Sequence, residues 1–283
     1  MRGAHPVAEA ERRGREAGQE TLSGSAPRFQ DHFSAHAAQY AEARPTYPAA
    51  LFDFLASLAP GRRQAWDCGT GNGQAAQGLA RHFARVLATD ASAEQLAHAA
   101  PHRSVTYRRA REHESGLAEG STDLVSAAQA FHWFDAGAFF GEVRRVLRPG
   151  GVLAIWCYGL AEVDAACDAV LRHFYHDEVG EDWPPGRSLV DAGYRDVELP
   201  FPEVAAPQFS MEASLDLAAL GRYVATWSAI HRHRARTGGD PVPALLEALA
   251  PHWGGSAARR TARWRIALRA VQVPYDFRFA SSP

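Results

Sequence analysis

The order of apolar segments predicts an α/β fold: a seven-stranded, mostly parallel sheet with helices on both faces and a helical cap. Three observations carry this expectation. Short apolar runs alternate with helix-period segments from Ala65 to Tyr158, the pattern of parallel strands joined by crossover helices. Gly69, Gly71 and Gly73 stand at alternate positions between the first run and a helix, where the backbone must turn sharply and can approach a ligand. The length of 283 residues and a hydrophobic content of 46% suit one large domain.

Taken in order, residues 1–27 are small, polar and charged without apolar periodicity, and are expected to form a disordered leader. Residues 28–273 are expected to be the folded domain and 274–283 a tail. Phe29, Phe33, His36 and Tyr40 fall at helical spacing, and Pro45 and Pro48 end that segment before a second helix over Ala49–Leu58. Strands are expected at Ala65–Cys68, Ala84–Asp90, Val105–Arg108, Ser121–Ala130 and Val152–Tyr158. A helix over Phe139–Leu147 is expected to stop sharply at Arg148-Pro149-Gly150-Gly151. Residues 159–250 read as the cap, with a helix over Ala161–Tyr175, a sixth strand at Phe209–Met211, a long helix from Leu217 through Ile230 and another over Ala244–Leu249. Arg263–Arg269 alternates apolar and charged residues, predicting a seventh, antiparallel strand at a sheet edge.

Composition removes several mechanisms. The chain contains no lysine, which excludes Schiff-base chemistry through lysine and a Walker A loop. The formal net charge of −2 offers no electrostatic case for nucleic acid or an anionic membrane. No apolar run is long enough to span a bilayer, and no signal-peptide core is legible. Cys68, Cys157 and Cys167 are odd in number and lack metal-ligand spacing, which suits a reducing cytoplasm and predicts no metal site. A monomer or homodimer is expected.

The glycine turn departs from the dinucleotide fingerprint. Asp67 stands two places before the first glycine, giving D-x-G-x-G-x-G with Thr70 inside it, rather than G-x-G-x-x-G. The pattern resembles motif I of class I S-adenosylmethionine (SAM)-dependent methyltransferases, which implies that Asp67, Gly69, Thr70, Gly71 and Gly73 hold the cofactor's amino-acid end. An ordinary strand–helix turn is the competing reading. Asp90, followed by Ala91, closes the second strand at the interval expected of a carboxylate that accepts a ribose diol. The same residues also fit helix capping, and the interval favours the ribose. After the third strand the resemblance implies an adenine contact, for which Glu112 and Glu114 are both candidates.

Gln129 ends the fourth strand, and Phe131-His132-Trp133-Phe134-Asp135 follows, placing a titratable ring among aromatics where a parallel sheet positions its ligands. His132 reads equally as a site residue or as a histidine satisfied by backbone carbonyls. The strings "WDCGTGNGQ", "ATDAS", "STDLVSAAQAFHWFD", "RVLRPGGVLAIWCYG" and "TWSAI" occur in one order. Together they resemble the trans-aconitate methyltransferase-like branch of the class I SAM-dependent methyltransferases, across roughly residues 29–272. The Arg44-Pro45-Thr46-Tyr47-Pro48 segment resembles one that closes over the SAM site in a subgroup, which makes Tyr40 and Arg44 cofactor-side candidates.

The resemblance implies a Rossmann-like sheet, SAM as cofactor and O-methylation of a small carboxylic acid. His132 would orient a carboxylate or act as base toward a hydroxyl, and Trp133, Trp156, Tyr158 and Trp227 would shape the acceptor pocket. Arg222, His231, Arg232, His233, Arg234 and Arg236 form a basic patch, either a solvated helix end or a polycarboxylate site. Three alternatives stand beside this reading. A nicotinamide-dependent oxidoreductase explains Asp90 but not Asp67 or the glycine spacing. A non-catalytic SAM-binding member would bind without turnover. A nucleic-acid methyltransferase lacks support from charge or from an Asn/Asp-Pro-Pro-aromatic motif.

Overall fold

The first five expected strands form, and every pairing among them is parallel. A computed structural model describes residues 45–255 and 257–277. The leader 1–27, the helix expected from Phe29, the candidates Tyr40 and Arg44, and residues 278–283 of the tail lie outside the described residues.

The strands β1 (Gln64–Cys68), β2 (Arg85–Asp90), β3 (Val105–Arg109), β4 (Thr122–Ala128) and β5 (Leu147–Tyr158) stand in the order β3-β2-β1-β4-β5. The strand order therefore reverses at β1, and the glycine turn leaves the sheet at that switch point. Alternate residues feed two separate cores, because helices cover both faces. Ala65, Val86, Leu124, Ala154 and Trp156 join Leu51, Leu55 and Leu79 on one face. Trp66, Leu87, Val125, Leu153 and Ile155 join Phe139 and Val143 on the other.

The helices between these strands are short and locally specified. Helix α1 (Ala49–Leu58) starts directly after Pro48 and buries Leu51, Phe52, Leu55 and Ala56. Helix α2 (Gln74–Leu79) starts from Gly73. Ser92 caps α3 (Ala93–Ala97), its hydroxyl accepting the Gln95 N–H at 3.2 Å. Asp135 caps α4 (Ala136–Val146) by accepting the Ala138 N–H at 2.9 Å. The Arg-Pro-Gly-Gly segment differs from expectation: it opens β5 rather than forming a separate stop. Proline pushes its preceding residue toward extended backbone, and Arg148 then pairs with buried Asp123 at 3.1 Å.

Beyond β5 the chain is less regular than its periodicity implies. Helix α5 (Ala165–His173) runs into a π-helical turn over Phe174–Glu178 and a 3-10 turn over Gly180–Asp182, then α6 (Arg187–Asp191). The expected long helix is two, α7 (Leu217–Ala225) and α8 (Ser228–Thr237). The Thr226 hydroxyl donates to the Tyr223 carbonyl at 2.7 Å, and Trp227 turns extended, which ends the first helix. Helix α9 (Val242–Trp253) follows. The span 159–250 is not purely helical, since β6 (Glu203–Val204) and β7 (Phe209–Leu215) arise within it and join the sheet.

The last strand, β8 (Arg260–Gln272), is antiparallel as expected but not an edge. It lies between β5 on one side and β6 and β7 on the other. Its alternation reports one solvated face, where Arg263, Arg265 and Arg269 pair with Glu212, Glu162 and Glu203. The two-residue β6 is an eighth strand too short to leave a periodic signal. No helix among the described residues is long and apolar enough to cross a membrane.

Candidate functional site

The turn after β1 is built by its glycines and held from below by a buried acid. Gly69, Gly71 and Gly73 adopt φ of 67°, 55° and 86°, in the left-handed region that side chains rarely enter. The Thr70 N–H donates to the Thr89 carbonyl at 2.9 Å, tying the turn to β2. Asp67 is fully buried, and its two oxygens accept the Thr70 and Ser126 hydroxyls, each at 2.6 Å. The acid thus links the turn to β4. Burial pushes its carboxyl up to about 6, against hydrogen bonds that favour the charged form.

A raised folded-state value has a definite pH consequence. Between the ordinary aspartate range and pH 6 the folded state keeps a proton that the unfolded state releases. Stability is therefore lost as pH rises through that window, by about 3 kcal/mol once the site is ionised. Replacing Asp67 by asparagine, which does not titrate, should raise stability relative to the parent at pH 7.5 but much less at pH 4. Urea denaturation at both values measures this, and an equal difference at the two would show that Asp67 ionises normally.

Asp90 sits at the tip of β2, beside the turn. One carboxylate oxygen accepts the Gly71 N–H and the other the Ser92 N–H, both at 2.8 Å. Capping of α3 falls to Ser92, so the capping alternative for Asp90 itself does not hold. A carboxylate at a strand tip is the acceptor type that a ribose diol requires. The neighbouring Ala91 carbonyl accepts from Arg109 at 3.0 Å. Of the two glutamates, Glu112 is 17% exposed and Glu114 61%, on opposite ring nitrogens of His113. Glu112 is among the charges that act on Cys68 beneath the turn.

The tip of β4 carries the second half of the site. Gln129 holds a φ of 52°, and its side-chain amide clips the backbone of Tyr158, accepting its N–H at 2.9 Å and donating to its carbonyl at 3.2 Å. Phe131–Trp133 then form a 3-10 turn. His132 Nδ1 lies 2.9 Å from the Tyr194 hydroxyl. Trp133 is 36% exposed, its ring centroid 4.9 Å from that of His132. Gly186 packs so closely that a Cβ there would stand 2.3 Å from the His132 carbonyl oxygen.

The expected aromatic group is not one wall. Trp156 and Tyr158 lie on the same face of β5, edge-on to Tyr47 at 5.5 and 6.3 Å. Trp227 is buried among Phe174, Tyr175, Trp183 and Tyr223. All three belong to one buried cluster, whereas Trp133 stands exposed on the β4 turn. Within the basic patch, His233 and Arg236 clamp buried Asp182, and Arg234 pairs with Asp240. Those three side chains serve the fold rather than a polycarboxylate. Beside Tyr158, a groove of about 540 Å³ opens over the ends of β5 and β8, with Arg172, Tyr175, Asp191 and Arg195 on its walls.

This arrangement has relatives. A methyltransferase domain family matches residues 66–155, from β1 to β5. A Dictyostelium discoideum protein described as a methyltransferase is 32% identical over 226 residues, covering 78% of this chain and 86% of its own length. A solved structure described as a type II methyltransferase from Anaeromyxobacter dehalogenans is 45% identical, with a TM-score of 0.76, covering 82% of this chain and 99% of that one. The chain belongs to the class I SAM-dependent methyltransferases. An Aspergillus candidus methyltransferase shares 35% identity over 154 residues, 48% of each chain.

SAM is thus the cofactor, and the nicotinamide alternative is set aside. The residues present fit it. Among the described residues a Cβ on Gly71 would meet nothing nearer than 3.6 Å, so they leave room above its backbone, with the Asp90 carboxylate alongside. The candidate site of this methyltransferase also includes residues that sequence reasoning missed. Ser126 gives no motif signal, since it is one small residue in a buried strand. Tyr107, which packs on Gly73, and Tyr194 are lone aromatics in unremarked segments. Tyr47 stood in a quoted string, and Pro45 beside it accepts a bond from Gln74 of α2 at 3.1 Å, bringing that segment against the glycine turn.

Proposed function

We propose that this methyltransferase modifies a small molecule, with a carboxylate oxygen as the methyl acceptor. The observation that carries the reading is the groove at the ends of β5 and β8. Its walls carry Arg172 and Arg195, it opens at strands that lie past β4 from the glycine turn of β1 in the sheet order, and its volume suits a small ligand. The "HWFD" and "TWSAI" strings support placement in the trans-aconitate methyltransferase-like branch. Three buried, unpaired cysteines fit work in a reducing cytoplasm.

When bound, SAM supplies a methyl group on a positively charged sulfur, which keeps the bond's electron pair as the methyl passes to an acceptor oxygen. In this reading the chain's residues bind and orient. Gly69, Thr70, Gly71 and Gly73 shape the seat for the amino-acid end, Asp90 accepts the ribose hydroxyls and Glu112 lies toward the adenine. His132 and Trp133 face the acceptor, and closing the site around it excludes water.

Calorimetric titration with S-adenosylhomocysteine, with NADH as control, tests the cofactor half. Transfer of labelled methyl to a panel of di- and tricarboxylic acids, beside phenols and amines, tests the acceptor half. His132→Gln should leave S-adenosylhomocysteine affinity within twofold and lower turnover about tenfold, the scale of one lost hydrogen bond. Turnover on amines alone would overturn the carboxylate reading, and binding without turnover on any acceptor would favour a non-catalytic member.

A further inference from the structure

The two described non-glycine residues with left-handed backbone are Gln129 and Tyr194; the first precedes the His132 turn and the second contacts it. Tyr194 follows Gly193, itself left-handed, in the turn after α6. Several bonds hold this conformation. The Tyr194 N–H donates to the Leu189 carbonyl at 2.8 Å, and its carbonyl accepts from Arg269 at 2.7 Å. The ring packs edge-on against Phe131 at 5.4 Å, and the residue is 0% exposed. A tyrosine held in strained backbone persists where its surroundings over-determine it, commonly beside a site.

Proton accounting gives this contact a direction. Burial pushes the Tyr194 phenol well above its ordinary range, so it keeps its proton. A buried hydroxyl proton needs an acceptor. Among the described residues that acceptor is His132 Nδ1, at 2.9 Å. An Nδ1 that accepts carries no proton, so the neutral imidazole holds its proton on Nε2.

We propose that Tyr194 is a positioning residue that fixes His132 as the Nε2–H tautomer, making the imidazole a hydrogen-bond donor to an acceptor oxygen that arrives already anionic. This rests on the reading that His132 faces the acceptor, and it deepens that reading. A ring protonated on Nε2 steadies a carboxylate without moving a proton. It is the wrong form to take a proton from an alcohol or phenol through that nitrogen. The tautomer therefore selects the acceptor class: carboxylates and other oxygens ionised in water, rather than hydroxyls that need a base.

The test reads the tautomer directly. The full chain, labelled with 15N-histidine and saturated with S-adenosylhomocysteine, is measured by long-range 15N–1H correlation at pH 8. The His132 signal is the one of 13 lost in His132→Gln. At least a tenfold excess of Nε2–H over Nδ1–H is expected, and Tyr194→Phe should lower that ratio threefold or more. Tyr194→Phe should also narrow the rate advantage of carboxylates over phenols at unchanged S-adenosylhomocysteine affinity. A predominant Nδ1–H form in the parent chain overturns the proposal, as does a ratio unmoved in Tyr194→Phe. The parent spectrum decides even if the variant does not fold. An Nε2–H signal together with no transfer to any carboxylate would sustain the tautomer and sink the carboxylate function.

Discussion

Gly69→Ala should destabilise the methyltransferase by about 3 kcal/mol and reduce S-adenosylhomocysteine affinity more than tenfold. Two costs add. The residue holds a φ of 67°, and a non-glycine residue there costs ~1–3 kcal/mol. Its new Cβ would stand 2.5 Å from the Ala130 Cβ and 2.9 Å from the Phe134 ring, and overpacking costs a further ~1–3 kcal/mol. Ala130 Cβ is fixed to the backbone, so relief requires the β1 turn and the β4 turn to separate. That seam joins the cofactor turn to the His132 turn. Thermal unfolding should fall by roughly 6–12 °C, and S-adenosylhomocysteine should raise the variant's midpoint less than the parent's. A variant with the parent's midpoint and affinity would show that the turn tolerates a side chain, and that its glycines are not required by geometry.

Asp90→Ala should weaken S-adenosylhomocysteine binding about 10- to 100-fold, since hydrogen bonds to a charged group contribute ~1.5–3 kcal/mol. The carboxylate accepts the Gly71 N–H as well as the Ser92 N–H, so the substitution also loosens the turn. A ligand lacking the ribose hydroxyls separates the two effects. If Asp90 accepts the diol, the loss caused by Asp90→Ala should shrink with a 2′,3′-dideoxy analogue. An undiminished loss would assign Asp90 to the turn alone, and unchanged affinity would remove it from the site.

Asp67 illustrates how a correct motif can hide its mechanism. Its spacing from Gly69 pointed to the cofactor's amino-acid end, and the residue does stand beneath that turn. Yet both of its oxygens are engaged by Thr70 and Ser126, and Ser126 comes from a strand 59 residues away. The local string contains Thr70 but carries no trace of Ser126. Trp227 shows the opposite case. Its string marked the branch resemblance, but helical spacing and an aromatic neighbourhood made it core.

By itself the sequence determined the five parallel strands, the glycine turn at the first of them, the acid at the tip of the second and the histidine turn at the fourth. These are local matters. Strand period, left-handed turn chemistry and residue order are written into consecutive positions, and a parallel sheet places all strand tips on one edge. Only the tertiary structure decided that β8 is interior, that His233, Arg234 and Arg236 of the basic patch are engaged by Asp182 and Asp240, and that Tyr194 reaches His132 from 62 residues away. Such pairings depend on which long loops return to which strand tip. Burial and hydrogen-bond satisfaction select them across the whole fold, and neither leaves a periodic mark on the chain.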